Sequence, residues 1–378
     1  MRRIIAILIV MIFVISGCRK VNEIDKKAPD SKISGVWLTY SEINELLEGG
    51  QFKENFFVVS SNLERYGITD VFIQVRPFCD SLFKSEYFPQ NELSLQYDFD
   101  VFSYMIDTLH KNNIRIHAWL NPYRVRTADS DINNLPSDSP AYKWLTDDVT
   151  ENDSNICILN GIYLNPASSD VKKLITDGVR EIINNYDVDG VHIDDYFYPT
   201  TSPDFDAASY EDYKSKNENP LSLDEYRISH INALISSLYT AIKFKDKNLI
   251  FSISPSASIL KNRQEYYADI KTWVKNECVD IIIPQAYFGF DYPDKDYRFN
   301  KILDDYKALP LKSTRLVIGL ATYKIGTSAK PDNIEWKDGE KIIDKQVEIC
   351  EKDKKISGFV FFSYSSFLSY KEQKTPAG

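Results

Sequence analysis

The chain has few cysteines for its 378 residues, and their spacing excludes two kinds of site. No pair of them has the separation of a zinc or redox motif. A domain of this size buries enough apolar surface to be stable without disulfides. The five cysteines are Cys18, Cys79, Cys157, Cys278 and Cys350. We expect the last four of them to be small buried residues.

Glycine and basic runs are also scarce, and this narrows the ligand classes. The chain has 14 glycines, and none forms a phosphate-binding turn after the first predicted strand at 35–39, where a doubly wound dinucleotide-binding sheet would carry one. A long basic run is absent and the formal net charge is −10. This charge disfavours nucleic acids and anionic surfaces as partners, whereas a neutral substrate stays compatible with it.

Histidine is limited to four residues, which restricts metal chemistry. A metal-dependent polysaccharide deacetylase could use Asp194, Asp195 and His192, but it needs a further pair of histidines at helical spacing. The remaining histidines, which lack that spacing, are His110, His117 and His230. We predict no metal and no cofactor, and the deacetylase stays a minor alternative.

The N-terminal segment has the composition of a secretory signal. Two arginines precede the apolar run 4–15, which is too short to span a membrane, and small residues precede Cys18. The pattern resembles a bacterial lipoprotein signal, which implies cleavage before Cys18 and lipid attachment to its thiol. We expect residues 1–17 to be the signal peptide, 18–33 a flexible tether, and the remainder to work outside the cytoplasm, lipid-anchored to a bacterial membrane.

Predicted strands and helices alternate through residues 34–378, which we interpret as one domain. About eight alternations favour an α/β fold of the closed (β/α)8 type, a TIM barrel with parallel strands and long loops at its C-terminal face, over a doubly wound open sheet. The segment 122–167 is polar and has no clear period. The predicted strands are 35–39, 70–76, 114–121, 190–193, 249–254, 280–285, 316–320 and 358–362, and the predicted helices are 52–66, 99–110, 168–186, 221–243, 266–277, 296–309 and 339–352.

The stretch 187–199 is the most informative part of the chain. The apolar strand 190–193 ends in Asp194 and Asp195, and barrel enzymes keep their chemistry at the C-terminal tips of strands. Alternation sends Val191 outward and both His192 and Asp194 toward the pocket. The polar His192 on that inward face disfavours the competing interpretation, in which the acids only cap a loop or a helix.

Carboxylate, amide, guanidinium and aromatic side chains accumulate at the predicted strand ends. Aromatic faces stack on pyranose C–H faces and the polar groups bind hydroxyls, so we predict a polysaccharide ligand at this rim. The expected substrate-binding residues are Tyr40, Gln74, Arg76, Asp80, His117, Trp119, Asn121, Tyr123, Arg124, His192, Tyr196, Tyr198, Ser254, Gln285, Tyr287, Tyr323 and Tyr364.

Glycoside hydrolysis needs two carboxyl groups that flank the bond. We predict Asp194 as the nucleophile or electrostatic stabiliser, kept ionised by Arg76 or His192 nearby. Asp195 points to the other side of the strand, so we expect it to act as a supporting or subsite group and the second acid to come from another strand. The candidates for that acid, in falling order of preference, are Glu42, Asp291 and Asp80. Glu42 could equally cap a short turn.

Six long segments resemble the glycosyl-hydrolase-like lipoprotein family known as DUF187. They are GVWLTYSE at 35–42, FIQVRPFCDSLFKSEYFP at 72–89, HAWLNPYR at 117–124, YDVDGVHIDDYFYP at 186–199, IIPQAYFGFDYP at 282–293 and GFVFFSYSSF at 358–367. The resemblance implies a TIM barrel, and a cell-wall enzyme of the family implies peptidoglycan strands stripped of their stem peptides as the substrate. Arg227 and Asn232 match the family pattern and are implied to brace the site. Cys79 stands where a glycine is expected.

A more distant likeness concerns the strand that ends in Asp194. Its sequence GVHID is similar to the strand of α-amylase-type barrels that ends in their nucleophilic aspartate. Those enzymes carry their acid on the next strand, where this chain has FSISP at 251–255, so the general acid stays unassigned. We predict a glycoside hydrolase, with a non-catalytic glycan-binding surface lipoprotein as the main alternative.

Overall fold

Eight parallel strands close into a barrel in the computed structural model, which describes residues 32–327 and 331–374, without the side chains of 331–334. The strands in chain order are β1 (Ile33–Leu38), β2 (Asp70–Arg76), β3 (Arg115–Leu120), β4 (Arg124–Thr127), β5 (Ile156–Ile158), β6 (Gly161–Leu164), β7 (Gly190–Ile193), β8 (Ile250–Ile253), β9 (Ile281–Ile282), β10 (Arg315–Leu320) and β11 (Ile356–Phe362). The barrel runs β1-β2-β3-β7-β8-β9-β10-β11, and β11 pairs with β1 to close it. The predicted TIM barrel is confirmed.

Helices follow the barrel strands and cover the outside. They are α1 (Tyr40–Leu47), α2 (Phe52–Arg65), α3 (Val101–Lys111), α4 (Pro140–Thr146), α5 (Thr150–Asp153), α6 (Ser169–Asn185), α7 (Ala207–Ser215), α8 (Leu223–Lys245), α9 (Ile259–Glu265), α10 (Ile270–Lys275), α11 (Phe299–Lys307), α12 (Gly339–Lys352) and α13 (Tyr364–Glu372). The helix that feeds β7 is typical: Ser168 accepts from the backbone N–H groups of Asp170 and Val171, and an apolar face at three-and-four spacing is buried.

The polar segment between the third and fourth barrel strands contains a small antiparallel sheet that the sequence does not predict. β6 lies between β4 and β5, outside the barrel. The strands are three or four residues long, so they contain too few alternations to show a period.

The barrel has an apolar interior that is separate from the core between strands and helices. The interior cluster consists of Ile33, Trp37, Phe72, Trp119, Ile281, Ile283, Val317 and Val360. A buried hydrogen bond also lies inside, because Nε2 of His117 is 2.9 Å from Oδ1 of Asp70, the first residue of β2. Gly190 leaves room for this pair, since a Cβ there would lie 2.5 Å from Nδ1 of His117.

A bulge in β2 changes the direction of one predicted site residue. The pairing of β2 with β3 shifts between Gln74 and Arg76, so Arg76 pairs with Leu120, which faces the outer core. Arg76 therefore points at α6, where a Cβ on Gly178 would lie 2.6 Å from its Nη1, and its guanidinium stacks on Phe88. The prediction that Arg76 faces the pocket is wrong.

The described cysteines fit the expectation drawn from their spacing. All four are free thiols; three are buried, and Cys278 is partly exposed. Cys18, the predicted signal peptide and nearly all of the predicted tether lie outside the described residues. Within 32–327 and 331–374, no helix is both long and apolar enough to cross a membrane.

Candidate active site

The mouth of the barrel, at the C-terminal ends of its strands, holds a cavity of about 380 Å³. Its wall combines aromatic rings with amide, hydroxyl and carboxyl groups, as expected for a sugar site. The predicted residues that line it are Tyr40, Gln74, Trp119, Arg124, Asp194, Tyr196, Ser254, Gln285, Tyr287 and Tyr323. The other lining residues are Trp37, Thr39, Ser41 and Phe362.

Asp194 directly follows β7, faces this cavity and is 3% exposed. Its Oδ2 accepts hydrogen bonds from Nε1 of Trp119 at 3.1 Å and from Nδ2 of Asn121 at 2.5 Å. Its Oδ1 accepts only from the backbone N–H of Tyr196, at 3.3 Å. The predicted inward orientation is confirmed, and Oδ1 is the oxygen left to carry a proton.

A second cavity of about 330 Å³ adjoins the first. It shares Arg124, Tyr196 and Gln285 with the first cavity and is lined by Asp195. Nε2 of Gln285 donates to Oδ1 of Asp195 at 3.0 Å and to the carbonyl oxygen of Ser254 at 3.1 Å. Asp195 thus lies on the other side of its strand, as predicted. The two cavities are halves of one cleft with an acid in each.

Both of these acids have raised pKa values. Burial, followed by the charge of Asp195, raises the pKa of Asp194 to about 7, although Arg124 and Asn121 act in the opposite direction. Burial raises the pKa of Asp195 to about 6 against the hydrogen bond from Gln285. Between these two values the pair carries one proton and one negative charge.

Arg124 is the cation that lines the cleft near Asp194. The sequence predicts Arg76 or His192 as the positive charge near Asp194. Nε of Arg124 donates to the carbonyl oxygen of Pro77 at 2.8 Å and its Nη2 to Oδ1 of Asn121 at 3.2 Å. The guanidinium also stacks on the ring of Tyr196, 4.9 Å from its centroid. These contacts fix the positive charge where both halves of the cleft meet.

His192 and His117 face the barrel interior, but both lie deeper than the cleft. Nε2 of His192 accepts from Nε1 of Trp37 at 3.1 Å, and burial lowers its pKa well below the usual value, so the ring is neutral. His117 is fully buried against Asp70. Neither lines the cleft, so the prediction that they bind substrate is wrong, as is the prediction that His192 keeps Asp194 ionised.

Glu42, the preferred second acid, stabilises the start of α1. Its Oε2 accepts from the backbone N–H and the hydroxyl of Thr39, which completes a capping box. Its Oε1 accepts from the hydroxyl of Ser363 and from the backbone N–H of Ser365. Both oxygens are occupied and Glu42 does not line the cleft, so the capping interpretation is the one that the contacts support.

The other two candidate acids also lie away from Asp194. Asp291 is exposed, and its backbone N–H donates to Glu335. Asp80 lines a third cavity of about 400 Å³, which shares Thr127 with the half of the cleft that holds Asp195. Burial raises the pKa of Asp80 to about 6. Of the acids that the sequence proposed as partners, Asp195 is therefore the one that lines the same cleft as Asp194.

Three predicted tyrosines have different environments. Tyr123 lines the second half of the cleft, and so does Tyr198, although Tyr198 is 1% exposed and donates to Oδ2 of Asp206 at 3.1 Å. The hydroxyl of Tyr364 accepts from Asn62 of α2, outside the barrel mouth. The prediction that Tyr364 binds substrate is wrong, because the last strand has already passed into α13 at that residue.

Residues 32–338 match the protein family described as glycosyl hydrolase-like 10. This match covers most of the chain. The chain belongs to that family.

Two relatives are similar to this chain in sequence, and one solved structure is similar to it in fold. The glycosyl hydrolase YngK of Bacillus subtilis strain 168 is 28% identical in an alignment of 369 residues that covers 88% of this chain and 68% of YngK. The glycosyl hydrolase DigH of Escherichia coli K12 is 30% identical in an alignment of 330 residues that covers 80% of this chain and 73% of DigH. The PgaB (BpsB) glycoside hydrolase domain of Bordetella bronchiseptica shares the fold, with a TM-score of 0.61 at 12% identity over 90% of this chain and 96% of that one.

The two residues that the family pattern implied as braces are structural. Arg227 forms a fully buried ion pair with Asp206 and donates to the carbonyl oxygens of Thr201 and Ser202. It thereby fixes the loop that follows Asp194 and Asp195. Oδ1 of Asn232 accepts from Nε1 of Trp273 at 2.5 Å, which ties α8 to α10.

The cleft residues that the sequence did not single out include Trp37, Ser41 and Phe362. The same alternation that places Asp194 could have found Trp37, because Trp37 has the inward parity of β1 and belongs to the interior cluster. Phe362 is the last residue of β11, so its place at the mouth also follows from the strand boundary. Ser41 lies in the first turn of α1, a helix that the sequence does not predict.

Proposed function

We propose that the protein hydrolyses O-glycosidic bonds of a polysaccharide, with Asp194 as the general acid and Asp195 as the nucleophile or general base. This proposal replaces two expectations from the sequence, that Asp194 is the nucleophile and that the second acid comes from another strand. The observation that carries this proposal is the pair of acids that directly follow β7, the buried Asp194 and the partly buried Asp195, one in each half of the cleft. Burial raises the pKa of both acids, and the hydrogen bond that Asp195 accepts from Gln285 favours its charged form, so we assign the charge to Asp195 and the proton to Asp194.

The proposed steps follow from the state of this pair near neutral pH. Asp195 loses its proton first because its pKa is the lower one, so it carries the charge. Asp194 keeps a proton on Oδ1 while Trp119 and Asn121 hold Oδ2. Asp194 then protonates the leaving oxygen, and Asp195 attacks the anomeric carbon or activates water for that attack.

The cleft wall supports a sugar on either side of the scissile bond. The ring centroids of Tyr287 and Tyr323 are 6.0 Å apart in the half of the cleft that holds Asp194. Tyr196 lines both halves. Tyr196 and Tyr323 are about half exposed, at 56% and 46%, so part of each ring is open to a ligand although Arg124 covers one face of Tyr196. Exposed rings of this kind stack on pyranose faces, while Gln74 and Gln285 supply amide groups at the floor.

For the substrate we propose a cell-wall polysaccharide, most specifically peptidoglycan strands without stem peptides, acted on outside the cytoplasm by a protein lipid-anchored at Cys18. The substrate rests on the resemblance to the lipoprotein family and on relatives that are named glycosyl hydrolases. The location rests on the pattern of residues 1–18, outside the described residues.

The experiment incubates the full chain and its Asp194→Asn variant with denuded peptidoglycan strands and a panel of neutral polysaccharides. Mass spectrometry detects new fragments, and NMR of the first products identifies the anomer. We expect wild-type protein to release fragments from denuded strands and the variant to release almost none. Equal release by both proteins would remove Asp194 from the mechanism.

The same experiment separates the alternatives. Binding without cleavage by both proteins would favour a glycan-binding lipoprotein. Cleavage of N-acetyl groups, lost on chelation, would favour a metal-dependent deacetylase. Among residues 32–327 and 331–374, no group of three or more histidine, cysteine, aspartate or glutamate side chains is arranged to hold a metal ion.

A further inference from the structure

A cavity of about 600 Å³ lies outside the barrel, larger than the cavity that holds Asp194. Residues at or near the N-terminal ends of α6 and α8 contribute to its wall, together with residues of α5 and α7. Helices of a (β/α)8 barrel begin near the mouth, where the strands end, so the cavity flanks the same rim as the cleft. Neither the chemistry of Asp194 and Asp195 nor the packing of the barrel requires it.

One buried donor in this wall is unused. Asn155 is 3% exposed, its Oδ1 accepts from the hydroxyl of Ser168 at 2.5 Å, and its backbone N–H and carbonyl both bond to neighbouring loop residues. Its Nδ2 has no hydrogen-bond partner among the residues that the structure describes. A buried amide donor without a partner costs free energy, and an acceptor oxygen of a ligand in the adjoining cavity would offset that cost.

An aromatic group forms part of the same wall. The rings of Tyr213 and Tyr226 lie 4.8 Å apart, and the imidazole of His230 packs edge-on against Tyr226 at 4.5 Å. Burial lowers the pKa of His230 to about 4, so the ring is neutral and offers one donor and one acceptor. Tyr226 is buried, so the partly exposed Tyr213 and His230 are the rings that a sugar would contact. Aromatic rings beside neutral hydrogen-bonding groups are the combination proposed for the cleft as well.

The charges around the cavity restrict the ligand. Glu151, Asp170 and Asp212 line it with a single cation, Lys216, whose Nζ is 2.7 Å from Oδ2 of Asp212. The acidic surplus disfavours phosphate and carboxylate ligands. The other lining groups are amides and hydroxyls, from Asn152, Ser154, Ser169, Ser209, Asn217 and Ser229.

We propose that this cavity is a second glycan-binding site, which takes uncharged pyranose units and holds a polysaccharide on the outer flank of the rim. The β5–β6 hairpin lies between this site and the cleft: Tyr163 lines the cleft, while Asn155, directly before β5, lines the new cavity. The site binds without chemistry, so it does not depend on the proposed hydrolysis.

The test fills the cavity without removing a hydrogen bond. Ala208 of α7 lines the cavity, so Ala208→Trp is the variant. Ala207, one residue earlier, is also exposed but does not line the cavity, so Ala207→Trp is the matched control. Both changes are made in the full chain that carries Asp194→Asn, so that any cleavage is slowed. Sedimentation with insoluble chitin and cellulose measures binding, and alginate is the anionic control.

We expect Ala208→Trp to weaken binding to a neutral polymer at least about tenfold, as loss of a central contact does, and Ala207→Trp to leave it unchanged. Equal binding by the two variants, or no binding of either neutral polymer by the parent, would overturn the proposal. If Ala208→Trp unfolds, Asn155→Asp replaces it, because it turns the unused donor into an acceptor of the same shape. Absence of hydrolysis by the wild-type chain, with binding to the neutral polymer intact, would count only against the proposed function.

Discussion

Asn121 donates from Nδ2 to Oδ2 of Asp194 over 2.5 Å and accepts from Nε2 of Gln74 at 2.7 Å. Gln74 in turn accepts from the backbone N–H of Tyr40 at 3.0 Å. Asp194 is therefore oriented by a row of amides that begins at the backbone on the far side of the mouth. Such a row fixes one rotamer of each amide, since the oxygen and the nitrogen of both Gln74 and Asn121 have partners.

Replacing Asn121 should change the pH dependence of the reaction. Asn121→Leu removes a donor that stabilises the charged form of Asp194, so the pKa of Asp194 rises further and the alkaline limb of kcat/KM moves to higher pH. We expect kcat to fall about 10- to 100-fold because the carboxyl loses its orientation. The control is Gln74→Leu, which breaks the same row without touching Asp194. An equal shift in both variants would contradict the assignment.

The wild-type profile of kcat/KM against pH should be bell-shaped with its maximum between the two pKa values. Ionisation of Asp195 near pH 6 gives the acidic limb, and deprotonation of Asp194 near pH 7 gives the alkaline limb. Gln285→Met removes a hydrogen bond that stabilises ionised Asp195, so only the acidic limb should move upward. A profile that is flat from pH 5 to 8 would count against the pair.

Asp194→Asn should stabilise the fold at alkaline pH. The carboxyl has a higher pKa in the folded state than the ordinary value of 3.8, so the folded protein binds its proton more tightly and its free energy of unfolding falls as pH rises from about 4 to 7. The variant lacks this loss. Thermal unfolding should therefore show a higher Tm than wild type at pH 8 and an equal Tm near pH 3.5. A lower Tm at pH 8 would indicate that the carboxylate is stabilising.

The ion pair between Asp206 and Arg227 should matter for stability and for the position of the catalytic loop. Arg227→Met leaves a fully buried carboxylate without its cation and should cost about 3–5 kcal/mol in urea unfolding. The double variant Asp206→Leu with Arg227→Met should recover a large part of that loss. Additive losses in the two single variants and the double variant would mean that the pair is not coupled.

The barrel could be predicted because apolar residues recur at every second position in the strands and at three-and-four spacing in the helices. The strands at 70–76 and 190–193 and the helix at 339–352 have the predicted boundaries. Alternation also placed Asp194 and Asp195 on opposite sides of their strand. These successes share a cause: parity within one strand is a local property that needs no tertiary contact.

The wrong predictions concern features that the alternation of side chains along a strand does not reveal. The bulge after Gln74 reversed Arg76, because one extra residue in a strand exchanges its two faces. His117 and His192 have the correct inward parity, but parity does not give depth along the barrel axis. Glu42 was ambiguous because an acid three residues after a threonine suits both a cap and a catalytic group, and only the contacts of Thr39 and Ser363 distinguish them.

The most direct test compares the rates at which wild type, Asp194→Asn, Asp195→Asn and the exposed control Asp291→Asn release reducing ends from denuded peptidoglycan strands, with folding checked by thermal unfolding. We expect the rate to fall about 10²- to 10⁴-fold in each of the first two variants, which is the usual contribution of a general acid or base. Asp291→Asn should keep the wild-type rate. Wild-type rates in both Asp194→Asn and Asp195→Asn would contradict the assignment of these two acids.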